Sequence, residues 1–195
     1  MMTNQLKYYS KQGLWSLFLT CAFPLHFWAI LLIFNDVAWV AKRTNAWDAV
    51  GVASYGLVFA FIESVIIFLI ATLLGFLISK KWDEKRRVAL MSALVLILSL
   101  WAIAGQGYFL LNVSLPLPAG WILSIGRMGH PVRFLSAVVL IFVSLTMLLP
   151  TYLILKSEKT LRFVIDAIER ISLLAMFYLF FDLIGLLVLI IRNLA

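Results

Sequence analysis

The chain has 195 residues, of which 64% are hydrophobic and only 13% charged, and its mean hydropathy is +1.06. Soluble domains hold roughly 45–50% apolar residues and about 25% charged ones, so this composition excludes a water-soluble domain and leaves no room for a separate soluble enzyme domain. The formal charge of +7 sits in short runs between apolar stretches rather than in a stripe on a polar domain, which argues against nucleic acid and for topology signals facing anionic lipid.

Crossing a hydrocarbon core near 30 Å thick takes about 20 apolar residues, and five runs of that kind are bounded by charge. The expected architecture is therefore an all-α integral membrane protein, a single bundle of about five transmembrane helices. The first run covers 14–34, with an extension toward Val40, and holds Pro24, where the lost backbone donor favours a kink. Lys7 and Lys11 precede it, but the apolar stretch outlasts a secretory signal core. The Leu19-Thr20-Cys21 triplet also lacks the small residue of a lipoprotein cleavage box. Cys21 is the only cysteine, can form no disulfide within the chain, and is expected to pack.

The second run, 49–79, is longer than a crossing needs and must tilt, bend or project. A charged link from Lys80 to Arg87 leads to the third, 88–111. Residues 112–131 hold Pro116, Pro118, Gly120, Gly126, Gly129 and Pro131 around Trp121-Ile122-Leu123; they cannot be a regular crossing and are expected at the interface or over the bundle mouth.

The fourth run is 134–155, with Pro150 near one end, and the fifth 171–191. Between them, 158–170 places Leu161, Val164, Ile165 and Ile168 at helical spacing, with Lys159, Arg162, Asp166 and Glu169 largely opposite. This pattern predicts a short amphipathic helix that lies on the membrane or caps the bundle. With successive connections on opposite sides, one side collects eleven Lys and Arg and the other five. The richer side is expected to be cytoplasmic, which puts the N-terminus inside and the C-terminus outside a cell membrane.

Ionisable residues inside apolar spans are costly and therefore informative. His26, Glu63 and Asp182 qualify, at comparable depth in the first, second and fifth runs, so that they could meet inside the bundle. Glu63 shares a helical face with Gly56, Phe59, Ala60 and Ile67, and the Gly56/Ala60 pair suits close helix approach. Asp182 shares one with Ala175, Tyr178 and Gly185. The third run adds Ser92, Ser99 and Gln106 at intervals of seven, so a polar seam is expected. The seam could carry protons or cations, or its groups could hydrogen-bond and hold the helices in register. No acidic residue has an evident basic partner at its own depth, which favours the second reading.

Three ligand types on three helices have no diagnostic metal spacing, so no metal site is expected. Ser54 lacks the glycine of a Gly-x-Ser nucleophile motif. No catalytic residue and no cofactor are expected. Asn35, Asp36, Asp48, His130 and Arg133 should lie near the outer surface, and Trp15, Trp39, Trp47, Trp82 and Trp121 near the interfaces. The expected partners are the lipid bilayer and a membrane protein, with any small-molecule or ion ligand unknown. A structural, accessory or regulatory component of a membrane assembly fits this inventory best. A small proton- or cation-linked transporter comes second, and an enzyme on a lipid-embedded substrate third.

Overall fold

The computed structural model describes residues 9–78, 82–111, 127 and 129–194. These residues form five helices and no strand: α1 (Lys11–Arg43), α2 (Ala46–Gly75), α3 (Glu84–Leu110), α4 (Pro131–Lys156) and α5 (Glu158–Leu194). All five are long and apolar enough to cross a membrane, as the five apolar runs predicted. The proline- and glycine-rich stretch 112–131, with Trp121, falls almost wholly outside the described residues.

Local chemistry explains the boundaries. The Ser10 hydroxyl accepts from the Gly13 amide at 3.0 Å and starts α1. Asn45 separates α1 from α2, its side-chain oxygen accepting from the Asp48 amide at 2.8 Å. Pro24 lies inside an unbroken α1, as Pro150 does inside α4.

A single residue, Ser157, joins α4 to α5. Its amide donates to the Leu153 carbonyl at 2.8 Å and closes α4, while its hydroxyl accepts from the Thr160 amide at 3.3 Å and opens α5. No separate amphipathic helix stands between the fourth and fifth spans: 158–170 is the first third of a continuous 37-residue helix. The reason is local, since the Ile168-Glu169-Arg170-Ile171-Ser172 junction holds neither glycine nor proline to end a helix. The apolar stripe is nonetheless used. Leu161 and Ile168 are buried against Ala89 and Leu90 of α3 and Ile154 of α4, so the stripe caps the bundle. It continues through Ala175, Asp182 and Leu189, a buried line with a period of seven along α5.

One end of the bundle gathers five helix ends. The Ser10 amide donates to the Glu84 carboxylate at 2.6 Å, joining the starts of α1 and α3. Tyr9 meets Phe76 edge-on at 5.6 Å at the end of α2. Burial raises the Tyr9 phenol above its ordinary value, and the nearby Arg87 guanidinium works against it. Arg86 donates to the Leu155 carbonyl and pairs with Glu158, holding α3 to both sides of the Ser157 turn. At the opposite end, Arg192 pairs with Asp48 and donates to the Trp47 carbonyl at 2.9 Å, tying α5 to α2.

Packing is tightest toward the first of these ends. One core cluster joins Leu17 and Cys21 of α1, Ala71 of α2, and Met91 and Val95 of α3. The other is the α3/α4/α5 cluster beneath the cap. α3 is buried continuously from Arg87 to Ser92, whereas Leu98, Leu100, Tyr108 and Leu110 farther along are exposed. α2 and α3 both lie on α1 but touch each other little, so they diverge and leave a gap.

Candidate functional site

The structure brings two of the three intramembrane candidates together. His26, fully buried on α1, points its Nε2 at both Asp182 oxygens on α5, at 2.8 and 3.0 Å. Its Nδ1 lies 2.7 Å from the Ala22 carbonyl, one turn earlier on α1. A carbonyl can only accept, so Nδ1 carries a proton and donates. Nε2 then faces the carboxyl group across one further proton, held on the imidazole or on Asp182. In either form the pair is neutral as a unit, which is what a low-dielectric interior tolerates.

The surroundings hold this geometry. Tyr178, one turn before Asp182, stacks on the His26 ring with centroids 5.8 Å apart and planes 11° from parallel, and Phe23 stacks on Tyr178 at 5.9 Å. Beside it α2 and α5 come close: a Cβ placed on Gly185 would stand 3.4 Å from the Ser54 carbonyl oxygen. The pair therefore sits where α1 and α5 meet, three residues along α5 from its close contact with α2. It is a satisfied interhelical clamp, fully buried at His26 and nearly so at Asp182.

Glu63 is placed elsewhere. It is exposed on α2 and lines a cavity of about 860 Å³ between α1, α2 and α3 whose wall includes none of His26, Tyr178 or Asp182. At 1.5 Å per residue Glu63 lies about 18 Å along α2 from Gly75, His26 about 22 Å along α1 from Lys11, and Ser99 about 22 Å along α3 from Glu84. The faces differ, and face decides contact. No hydrogen bond or ion pair engages Glu63 among the described residues.

The expected seam on α3 also divides. Ser99 and Gln106 line the same cavity as Glu63, while Ser92 is fully buried outside it, its hydroxyl without a partner. The Gly56 and Ala60 face is spent inside the molecule, since a Cβ on Gly56 would stand 3.0 Å from the Ile33 side chain of α1.

The cavity is a groove rather than a chamber. Its wall runs from Val52 to Leu74 on α2, about 33 Å at 1.5 Å per residue, close to the thickness of a hydrocarbon core. Along its rim Phe59, Ile70, Leu74, Leu98 and Leu110 are each about half exposed or more. Its polar groups fall at two levels, Glu63 and Ser99 midway and Asp36 and Gln106 toward the Arg192 end. The remaining half is apolar. Among the described residues two carboxylates and no basic side chain line the groove.

Among the described residues no three His, Cys, Asp or Glu side chains stand close enough to hold a metal ion. The sequence reading missed the groove and the two terminal ion pairs, and while it let His26 and Asp182 meet in the bundle it saw no basic partner for the acid. For the histidine contact a signal existed: Asp182 falls on the seven-residue line Leu161, Ile168, Ala175, Asp182, Leu189, and His26 is the one titratable base inside an apolar span. Comparison with known proteins assigns no family, since no family model, no curated protein and no solved structure matches the chain.

Proposed function

We propose that the chain is an accessory component of a membrane assembly, a multi-pass bundle that receives a membrane-embedded segment of another protein in the groove between α1, α2 and α3. The observation that supports this most is the open apolar groove, as long as a membrane crossing, with Glu63 halfway along it and without a partner among the described residues. An acidic side chain inside a membrane ordinarily faces a bundle interior or pairs with another group. Here the interior position belongs to Asp182, and Glu63 faces outward into a slot.

The proton- or cation-transport reading loses support from the same geometry. It needs His26, Glu63 and Asp182 in one path, and Glu63 lines a cavity that the other two do not enter. The cell membrane is the proposed location. The bias of Lys and Arg supports a cytoplasmic placement of the end where α1 and α3 begin, an orientation that a reporter fused after Ala195 reads.

Isolation in a gentle detergent is the test. The wild-type chain is expected to retain a membrane protein in fixed stoichiometry, and Ala102→Trp, which fills the groove from α3, to lose it while the bundle stays folded. Isolation of the wild type alone in repeated mild extractions, or full retention by the Ala102→Trp variant, would contradict the proposal.

A further inference from the structure

We infer that the groove is a docking site for one transmembrane helix that carries a lysine or arginine near its middle, with that basic side chain placed on Glu63. The inference rests on the accessory reading above and adds the chemistry of the partner.

Charge complementarity selects the occupant. Glu63 lies about 18 Å along α2 from Gly75 and about 25 Å from Ala46 at 1.5 Å per residue, far from either end of the helix. A carboxylate at that depth without a counter-charge is costly. The chain cannot supply the counter-charge from a second copy, because none of its 16 lysines and arginines falls inside an apolar span. His26, the one base that does, is fully buried and committed to Asp182 and Ala22. A phospholipid cannot supply it either, since its ammonium group stays at the headgroup level while only its chains reach mid-depth. A basic residue on a crossing helix can.

Shape agrees. A 20-residue helix is about 30 Å long and 10–12 Å across. The groove matches that length, so it can seat one face of such a helix with the rest left to lipid. A small organic ligand is ordinarily surrounded over most of its surface. The rim residues Phe59, Ile70, Leu74, Leu98 and Leu110 instead leave the slot open sideways along its length, as lateral entry of a helix requires. Ser99, level with Glu63, adds a hydroxyl that can accept a further ammonium or guanidinium hydrogen. Trp28 and Phe59 line the same stretch.

The full chain is reconstituted in phosphatidylcholine vesicles with a fluorescently labelled polyleucine transmembrane peptide bearing one central lysine, and separately with the same peptide bearing leucine there. Energy transfer reads association with the wild type, Glu63→Gln and Ala102→Trp. The lysine peptide is expected to bind the wild type about tenfold more tightly than the leucine peptide, the size of one good interhelical polar contact. Glu63→Gln should abolish that preference, and Ala102→Trp should weaken both peptides. Equal binding of the two peptides to the wild type, or an undiminished preference in Glu63→Gln, overturns the inference.

The arms separate the two levels of the argument. If Ala102→Trp weakens both peptides but Glu63→Gln changes nothing, the groove still docks helices and only the charge assignment falls. If Ala102→Trp weakens neither, the docking groove itself falls. Dodecylammonium in place of the peptides tests the competing occupant: Glu63-dependent binding of this amine, with no preference for the lysine peptide, assigns the site to small amphiphilic cations and overturns the helix.

Discussion

At the scale of residues, the two buried-span acids have opposite fates although each lies near the middle of an apolar run. Asp182 meets a histidine whose other nitrogen is tied to the Ala22 carbonyl, so every hydrogen-bonding atom of the imidazole is engaged. Glu63 meets none. The clamp makes a sharp prediction about Asp182. Removing one member of a buried pair typically costs about 3–5 kcal/mol, whereas replacing both with apolar residues often costs far less. Asp182→Ala is therefore expected to destabilise the bundle by about 3 kcal/mol or more. His26→Leu combined with Asp182→Leu should recover a large part of that loss. Asp182→Asn should cost only about 1 kcal/mol, because an amide can still donate to Nε2 of a neutral imidazole. Reversible unfolding in mixed micelles measures all three, and an Asp182→Asn variant as unstable as Asp182→Ala would show that the pair needs its charge rather than its hydrogen bond.

At the scale of elements, all five helices were legible because continuous apolar runs bounded by charge leave a long helix little alternative. What the pattern could not give was the partner of each face. The residues 158–170 carry an unmistakable amphipathic period, and lipid, a partner protein or the chain's own bundle could each satisfy it. The structure satisfies it internally through Leu161 and Ile168, and merges the segment with the span that follows. Ile168→Asp is accordingly expected to cost about 3 kcal/mol or more by burying an unpaired carboxylate among Leu90 and Ile154. Phe163→Asp, on the exposed side of the same turns, should alter stability by less than about 0.5 kcal/mol. Equal losses in the two variants would mean that the outer side of this segment is also packed.

The same limit applies to the candidate site. Counting residues from the ends of the apolar runs put His26, Glu63 and Asp182 at comparable depth, because rise per residue is fixed. Whether they meet depends on rotation and on which helices are neighbours, and neither follows from one sequence. The groove was invisible for a related reason. It exists because α3 is buried continuously only from Arg87 to Ser92 and touches α2 little, a property of helix directions rather than of any motif.

At the scale of the whole molecule, the bundle is closed and cross-linked at the end where Glu84, Arg86 and Glu158 act, and splayed on the side where α2 and α3 part. Glu63, which has no partner among the described residues, lies in that opening. The central claim is that the opening holds a protein segment in the native membrane. Its most direct test is a photoreactive amino acid placed in living cells at Leu98 on the groove rim, compared with Leu140 on the exposed side of α4. The account predicts one discrete protein adduct from Leu98, weakened by Glu63→Gln and absent from Leu140. Lipid adducts alone from both positions would contradict it.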